Sequence, residues 1–189
     1  MNTLRNSTLV FLLALLASGA AMGAVVGGVS LADRVSVAGR PLVLNGAGVR
    51  AKVLVQLYVV SLYLPAHAKE VSAVFAKAPR RIQLNMLQSA SSEQIVTAIL
   101  DTMADNNTPA EMAAVKKESD QLVSLIRPFK QVGRSDVITL DFVDGGTLLG
   151  WKGRSRGRIP GEAFNRALTK IWLGDQPVQA DLKQALLGG

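Results

Sequence analysis

The sequence predicts an α+β fold, a large antiparallel sheet layered with helices on one face. Three observations predict it. Strand-like runs come first, over residues 29–65 and 80–87. Helical runs with clear start signals follow over 91–129, and a hairpin pattern over 136–151 then precedes two closing helices. Blocks of strands and blocks of helices, rather than strict βαβ alternation, are the mark of this class.

Residues 1–23 stand apart from that fold. Arg5 precedes a solid apolar run over 9–16, and Ala21-Met22-Gly23 offers a small-x-small cleavage pattern. Together these read as a secretory signal peptide. The apolar run is shorter than the roughly 20 residues of a membrane span. An uncleaved anchor is the alternative reading; the absence of cysteine excludes a lipoprotein anchor. The expected domain is residues 24–189, exported, with the Gram-negative periplasm as its expected compartment. No later segment is long and apolar enough to span a bilayer. With no cysteine there are no disulfides, so the core alone must hold the fold. The formal charge of +7 suits contact with anionic envelope surfaces, and suits solubility equally.

The elements follow in order. Residues 29–37 and 41–44 read as two strands around Ala38-Gly39-Arg40. Residues 44–65, LNGAGVRAKVLVQLYVVSLYLP, read as a glycine turn at Asn45-Gly46-Ala47-Gly48 and then one long strand. Period-two alternation puts Arg50, Lys52, Leu54, Gln56, Tyr58, Val60 and Leu62 on one face of that strand. Such a face can line a cleft with a wet mouth and an apolar interior, or be a strand entering the core from its solvent end. A short helix is expected over 69–77, with Val71, Val74 and Phe75 inward. Pro79 stops it, and 80–87 alternates as a strand with Ile82, Leu84 and Met86 on one face.

Two helices come next. Ser91 and Gln94 fit a capping box ahead of Ile95, Ile99 and Met103. Thr108, Pro109 and Glu111 make a second, stronger start, and helical spacing then runs through Met112, Val115, Leu122, Ile126 and Phe129. Asp105-Asn106-Asn107 joins the helices, which are expected to pack as an antiparallel pair. Residues 136–143 and 147–151 form a hairpin about Asp144-Gly145-Gly146. Residues 152–158 put Arg154, Arg156 and Arg158 on one side if extended, as on a solvated edge strand. The last helices, over 161–173 and 177–187, turn Phe164, Ala167, Leu168 and Ile171, then Leu182, Ala185 and Leu186, inward.

The chemistry is narrowed by what is missing. One histidine and no cysteine exclude a His/Cys metal cluster and thiol chemistry. A Ser-His-Asp triad would have to use His67, in a Pro-Ala-His-Ala turn without a nucleophile elbow. The glycines at 46 and 48 lack the third glycine of a dinucleotide fingerprint, and no phosphate-loop lysine motif occurs. Asp136, Asp141 and Asp144 read as turn carboxylates. Nucleic-acid binding is unsupported, since no aromatic residues interleave the arginines. No cofactor, metal ligand or catalytic residue is assigned. Arg50 is the main candidate, either meeting a carboxylate or phenolate in two-pronged geometry or closing the strand end against an acid. Tyr58 shares its face, but an unbroken strand would hold the two about 26 Å apart.

Residues 44–65 and 171–188, the latter IWLGDQPVQADLKQALLG, resemble the chalcone isomerase superfamily, most closely its bacterial exported chalcone isomerase-like branch. The resemblance implies an open-faced sandwich with a ligand cleft between sheet and helices. The superfamily holds enzymes that close a chalcone to a flavanone, fatty-acid binders, and members without known activity. Gly48-Val49-Arg50 matches the turn whose arginine stabilises the oxyanion in the enzymes. The remaining polar set does not carry over: its threonine falls on Tyr58, its tyrosine on Ser91, its asparagine near Ala98, and its later threonine or serine on Ile171. Losing one positioned donor typically costs about 10²–10³ in rate. The resemblance thus implies a non-catalytic binder of a small amphipathic carboxylate such as a fatty acid, with Arg50, Tyr58 and Ser91 as ligand contacts. A chalcone-flavanone isomerase-type lyase is the alternative, and a cell-envelope assembly partner docking through residues 152–158 is the third reading.

Overall fold

A computed structural model describes residues 23–189. The expected signal peptide lies, but for Gly23, outside the described residues. Strands β1 (Val25–Val26) and β2 (Val29–Ser30) form a small hairpin around Gly27 and Gly28, whose φ values are +54° and +78°. Positive φ at both central residues is the turn that matches strand twist, and glycine adopts it at no steric cost. Strand β3 (Arg34–Val37) pairs with the start of β4 (Arg40–Lys52) across Ala38-Gly39.

Strand β5 (Val55–Leu64) returns antiparallel along β4, with Lys52 opposite Val55. The expectation of one strand over 44–65 is therefore corrected: the chain reverses at Val53-Leu54. The expected glycine turn is corrected too, since Asn45-Gly46-Ala47-Gly48 lies inside β4. A β-bulge there leaves Asn45 as the extra residue between the Leu44–Tyr63 and Gly46–Leu62 pairs.

The one-turn helix α1 (Val71–Val74) buries Val74, and β6 (Arg80–Met86) follows. Strand β7 (Ala90–Ser91) leads into α2 (Ser92–Asn106), where the Ser91–Gln94 capping box is complete. The Thr108–Glu111 box is also complete, but the helix it starts is not continuous. It is α3 (Pro109–Ala114), a break at Val115 with φ −109° and ψ 14°, then α4 (Lys116–Ile126) and a 3-10 turn over Arg127–Phe129. Helix α2 packs on α3, α4 and the 3-10 turn, so the expected contact between the two helical runs forms, and it packs on the later α5 as well.

Strand β8 (Gln131–Val132) pairs with β7, and β9 (Val137–Val143), β10 (Gly146–Trp151) and β11 (Arg154–Pro160) run as a meander. Helices α5 (Glu162–Leu173) and α6 (Ala180–Leu186) close the chain. The seven-stranded antiparallel sheet has the order β11-β10-β9-β6-β5-β4-β3. No helix among the described residues is long and apolar enough to cross a membrane.

The main core lies between sheet and helices. Val60, Leu62, Ile82, Leu140 and Leu149 meet Leu122 and Ile126 of α4 and Phe164, Leu168 and Ile171 of α5. A smaller cluster of Val37, Leu42 and Tyr63 fills the other face. The β1–β2 hairpin also rests there, with Gly27 against Val49 and Val59. The edge-strand arginines divide. A register shift beside Gly150 leaves Arg156 unpaired between Ser155 and Gly157. Its guanidinium lies 4.8 Å from the Trp151 ring centre, while Arg154 and Arg158 stay exposed. The three arginines therefore do not form one docking stripe.

Candidate functional site

The turn at Val53-Leu54 makes Arg50 and Tyr58 direct cross-strand partners. Side chains directly opposite have Cβ atoms about 5 Å apart, not the 26 Å of an unbroken strand. Directly paired residues point to the same face, and Tyr58 shares its face with Val60 and Leu62, toward the helices.

Helix α6 lies along that face of β4, and the two glycines explain how. A Cβ on Gly48 would come within 2.7 Å of Leu182 Cδ1, and one on Gly46 within 2.1 Å of the Ala185 carbonyl oxygen. Glycine serves here for close backbone approach. Asn45 fastens the end of α6: its Nδ2 donates to the Leu186 carbonyl at 2.7 Å and to the Ala68 carbonyl at 2.9 Å.

Gln179, just ahead of α6, lies over Arg50. Its Oε1 accepts from Arg50 Nη1 at 3.2 Å and from the Ala51 N–H at 3.0 Å, and its Nε2 donates to the Val49 carbonyl at 3.4 Å. Strand β3 covers β4 only as far as Val43, so the Gln179 amide occupies edge groups that a neighbouring strand would otherwise satisfy. Arg50 Nη1 also donates to the Ala51 carbonyl. Nε and Nη2 make no hydrogen bond among the described residues, which leaves half of the fork for a ligand.

Tyr58 Oη accepts from Trp172 Nε1 at 3.4 Å. Burial pushes the Tyr58 pKa up, partly offset by the Trp172 N–H and the Arg50 charge. The phenol therefore keeps its proton at neutral pH and is a donor, not a base. Ser91 is engaged elsewhere: its Oγ accepts from the Gln94 N–H at 3.1 Å and its own N–H donates to Gln94 Oε1. It makes no hydrogen bond to Arg50 or Tyr58. The other candidates have structural partners. Asp136 holds Trp151 and Lys152, Asp141 pairs with Arg81, and Asp144 with Lys77.

Sequence reasoning missed three polar side chains. Trp172 and Gln179 both lie in the 171–188 stretch that carried the resemblance. Arg80 is only 3% exposed at the start of β6, and the signal for it was its period-two match with inward Ile82. It stacks 4.4 Å from the Phe142 ring centre and donates to Thr169 Oγ1 at 2.9 Å, and burial pulls its pKa down to about 10. A cavity of about 460 Å³ opens beside it, lined by Arg40, Lys77, Arg158, Asp144 and Glu162 among others. That charged, open recess lies at the opposite end of β6 from Met86, the partner of Tyr58. Its lining mixes these charged groups with Ala78, Pro79, Phe142 and Val143, whereas Tyr58 borders the main apolar core.

A fold likeness and a family match accompany this geometry. The structure superposes on an Arabidopsis thaliana fatty-acid binding protein with a TM-score of 0.71 and 14% identity, over 85% of this chain and 92% of that one. No curated protein matches the chain in sequence. The model of the chalcone isomerase-like family matches residues 23–188, which is the whole described fold but for its last residue. With its curled seven-stranded sheet, its helical layer and a match along that whole length, the chain belongs to the chalcone isomerase-like family.

Proposed function

We propose that this is an exported, periplasmic, non-catalytic binder of a small amphipathic carboxylate, a fatty acid being the leading candidate. The observation that carries the reading is the Arg50–Tyr58 pair. A guanidinium with free donors and a protonated phenol stand side by side at the margin of an apolar core. The guanidinium supplies charge-assisted hydrogen bonds to a carboxylate, and the phenol adds a neutral one. The fold likeness to a protein described as fatty-acid binding supports this choice of ligand. A lyase would need further positioned donors around a developing enolate beyond this one pair.

Leu182 and Ala185 of α6 pack against Gly48 and fill the space next to the pair. An acyl tail therefore enters by moving α6 off β4. The test is native mass spectrometry of protein recovered from the periplasm, beside its Arg50→Ala variant. A discrete added mass of fatty-acid size in the wild type, lost in the variant, supports the reading. Bare protein in both, with no uptake of added oleate, overturns it. Cell fractionation tests the compartment.

A further inference from the structure

Three of the four large apolar side chains left exposed among the described residues sit together at the β4–β5 turn. Val53 is 91% exposed, Leu54 95% and Val55 49%, all in the β4–β5 turn. Val25, at 68%, belongs to the small hairpin that rests on Val49 and Val59, the register pair next to Arg50 and Tyr58. The turn is also strained. Val53 has φ +57°, where a two-residue hairpin favours glycine or asparagine and where a β-branched residue is an outlier. Nothing among the described residues repays either cost, since neither side chain is packed. Local rules broken twice at one exposed point mark a place used for something outside the fold.

We propose that the β4–β5 tip docks the protein onto an anionic lipid bilayer. Val53 and Leu54 enter the boundary between headgroups and acyl chains, and Lys52 lies against the headgroups. Shape and charge select this occupant. A tip two residues wide cannot bury the roughly 1,200–2,000 Å² of a stable protein interface, whereas a soft lipid surface closes around a convex point. Lys52 flanks the tip, and the whole chain carries +7. Apolar insertion plus attraction to anionic lipid is how small amphipathic elements hold to a membrane surface. Docking here would bring the Arg50–Tyr58 pair to the lipid from which an amphipathic acid is drawn. That purpose rests on the ligand reading; the docking itself does not.

The experiment uses residues 24–189, which contain every described strand and helix, so that the N-terminal apolar run cannot contribute. Protein is sedimented with vesicles of phosphatidylcholine alone and of phosphatidylcholine with phosphatidylglycerol. The wild type is expected to bind the mixed vesicles. Val53→Asn/Leu54→Asn should weaken that binding by at least about 10-fold, because two exposed apolar side chains no longer insert. The variant's melting temperature should be unchanged or higher, since asparagine tolerates positive φ. Wild type that ignores both vesicles, or a variant that binds as well as wild type, overturns the proposal. So does a wild-type dimer, seen by sedimentation velocity, that the variant dissolves. Arg50→Ala separates the two readings: it should keep vesicle binding while losing any carboxylate ligand, and loss of vesicle binding in a folded Arg50→Ala protein counts against docking through the tip.

Discussion

The indole N–H of Trp172 donates to the Tyr58 hydroxyl across 3.4 Å, which occupies a lone pair and leaves the phenolic proton free. Tyr58 thereby faces Arg50 as a second donor. On the proposed ligand reading, the two together would hold a carboxylate.

Removing either donor should show in affinity. Arg50→Ala is expected to weaken oleate binding by about 10–100-fold, from the roughly 1.5–3 kcal/mol of a charged hydrogen bond. Tyr58→Phe should cost less, about 3–10-fold, because a neutral donor is lost. Isothermal titration of both variants checks the order, and equal affinities for all three proteins would contradict it. In a Trp151→Phe background, Trp172 emission should also change on ligand addition.

Ser91→Ala should behave differently. Its hydroxyl caps α2, so the expected result is a loss of about 1 kcal/mol in urea unfolding with ligand affinity unchanged. A fall in affinity at constant stability would instead mark Ser91 as a ligand contact.

Gly46→Ala tests the packing of α6. The added methyl meets a backbone oxygen, which cannot rotate away, so about 1–3 kcal/mol of stability should be lost. Gly48→Ala meets the flexible end of Leu182 first and should be milder. Thermal melts of the two variants give the comparison.

Tyr63 offers a contrast with Tyr58. It is fully buried in the smaller core, and its Oη has no hydrogen-bond partner among the described residues. Burial pushes its pKa up, partly offset by the neighbouring Ser61 hydroxyl, itself without a well-formed partner, and by the Arg81 charge. Tyr63→Phe removes an unsatisfied polar atom and should leave stability unchanged or raise it by up to about 1 kcal/mol in urea unfolding. A loss of stability would mean that the hydroxyl has a partner.

Asp136 should shape the acid limb of stability. Burial raises its pKa, but the Gly133 N–H, the Lys152 ammonium and the Trp151 indole outweigh it and hold the carboxyl below its ordinary value. A folded pKa below the unfolded one stabilises fully above about pH 3.9, and the contribution is lost as pH falls through the folded value. Asp136→Asn should therefore lower the melting temperature at neutral pH and converge with wild type in strong acid. Parallel curves at every pH would refute this.

Much of the fold was legible because its signals are local. Ser91 with Gln94 and Thr108 with Pro109 and Glu111 marked helix starts that the structure reproduces atom by atom. The inward faces of α5 and β6 followed from periodicity. The errors have physical causes. Val53-Leu54 turns the chain with no glycine, proline, asparagine or aspartate, so the alternation of residues 44–65 ran through it unbroken. Gly46 and Gly48 imitate a turn because glycine signals both reversal and close approach, and only the position of α6 tells them apart. Val115 breaks a helix whose apolar spacing continues on both sides. The pairing of Arg50 with Tyr58 was therefore hidden, although both residues were legible one at a time. Arg80 was passed over as a core residue because an arginine after a proline reads as surface, although its period-two match with Ile82 pointed inward.

The seat of α6 on β4 also orders events in time. Asn45 reaches Leu186 across 141 positions of chain, and Arg50 reaches Gln179 across 129. Contacts so distant in sequence form late, after a large loss of chain freedom. The β4–β5 hairpin can assemble from neighbouring residues while the C-terminus is still being made. Its helix-facing side along Gly46 and Gly48, which α6 covers, then stays bare until the last dozen residues arrive. A chain stopped before α6 would carry that uncovered face into solution, which makes the final helix the step that separates a folded molecule from one prone to aggregate.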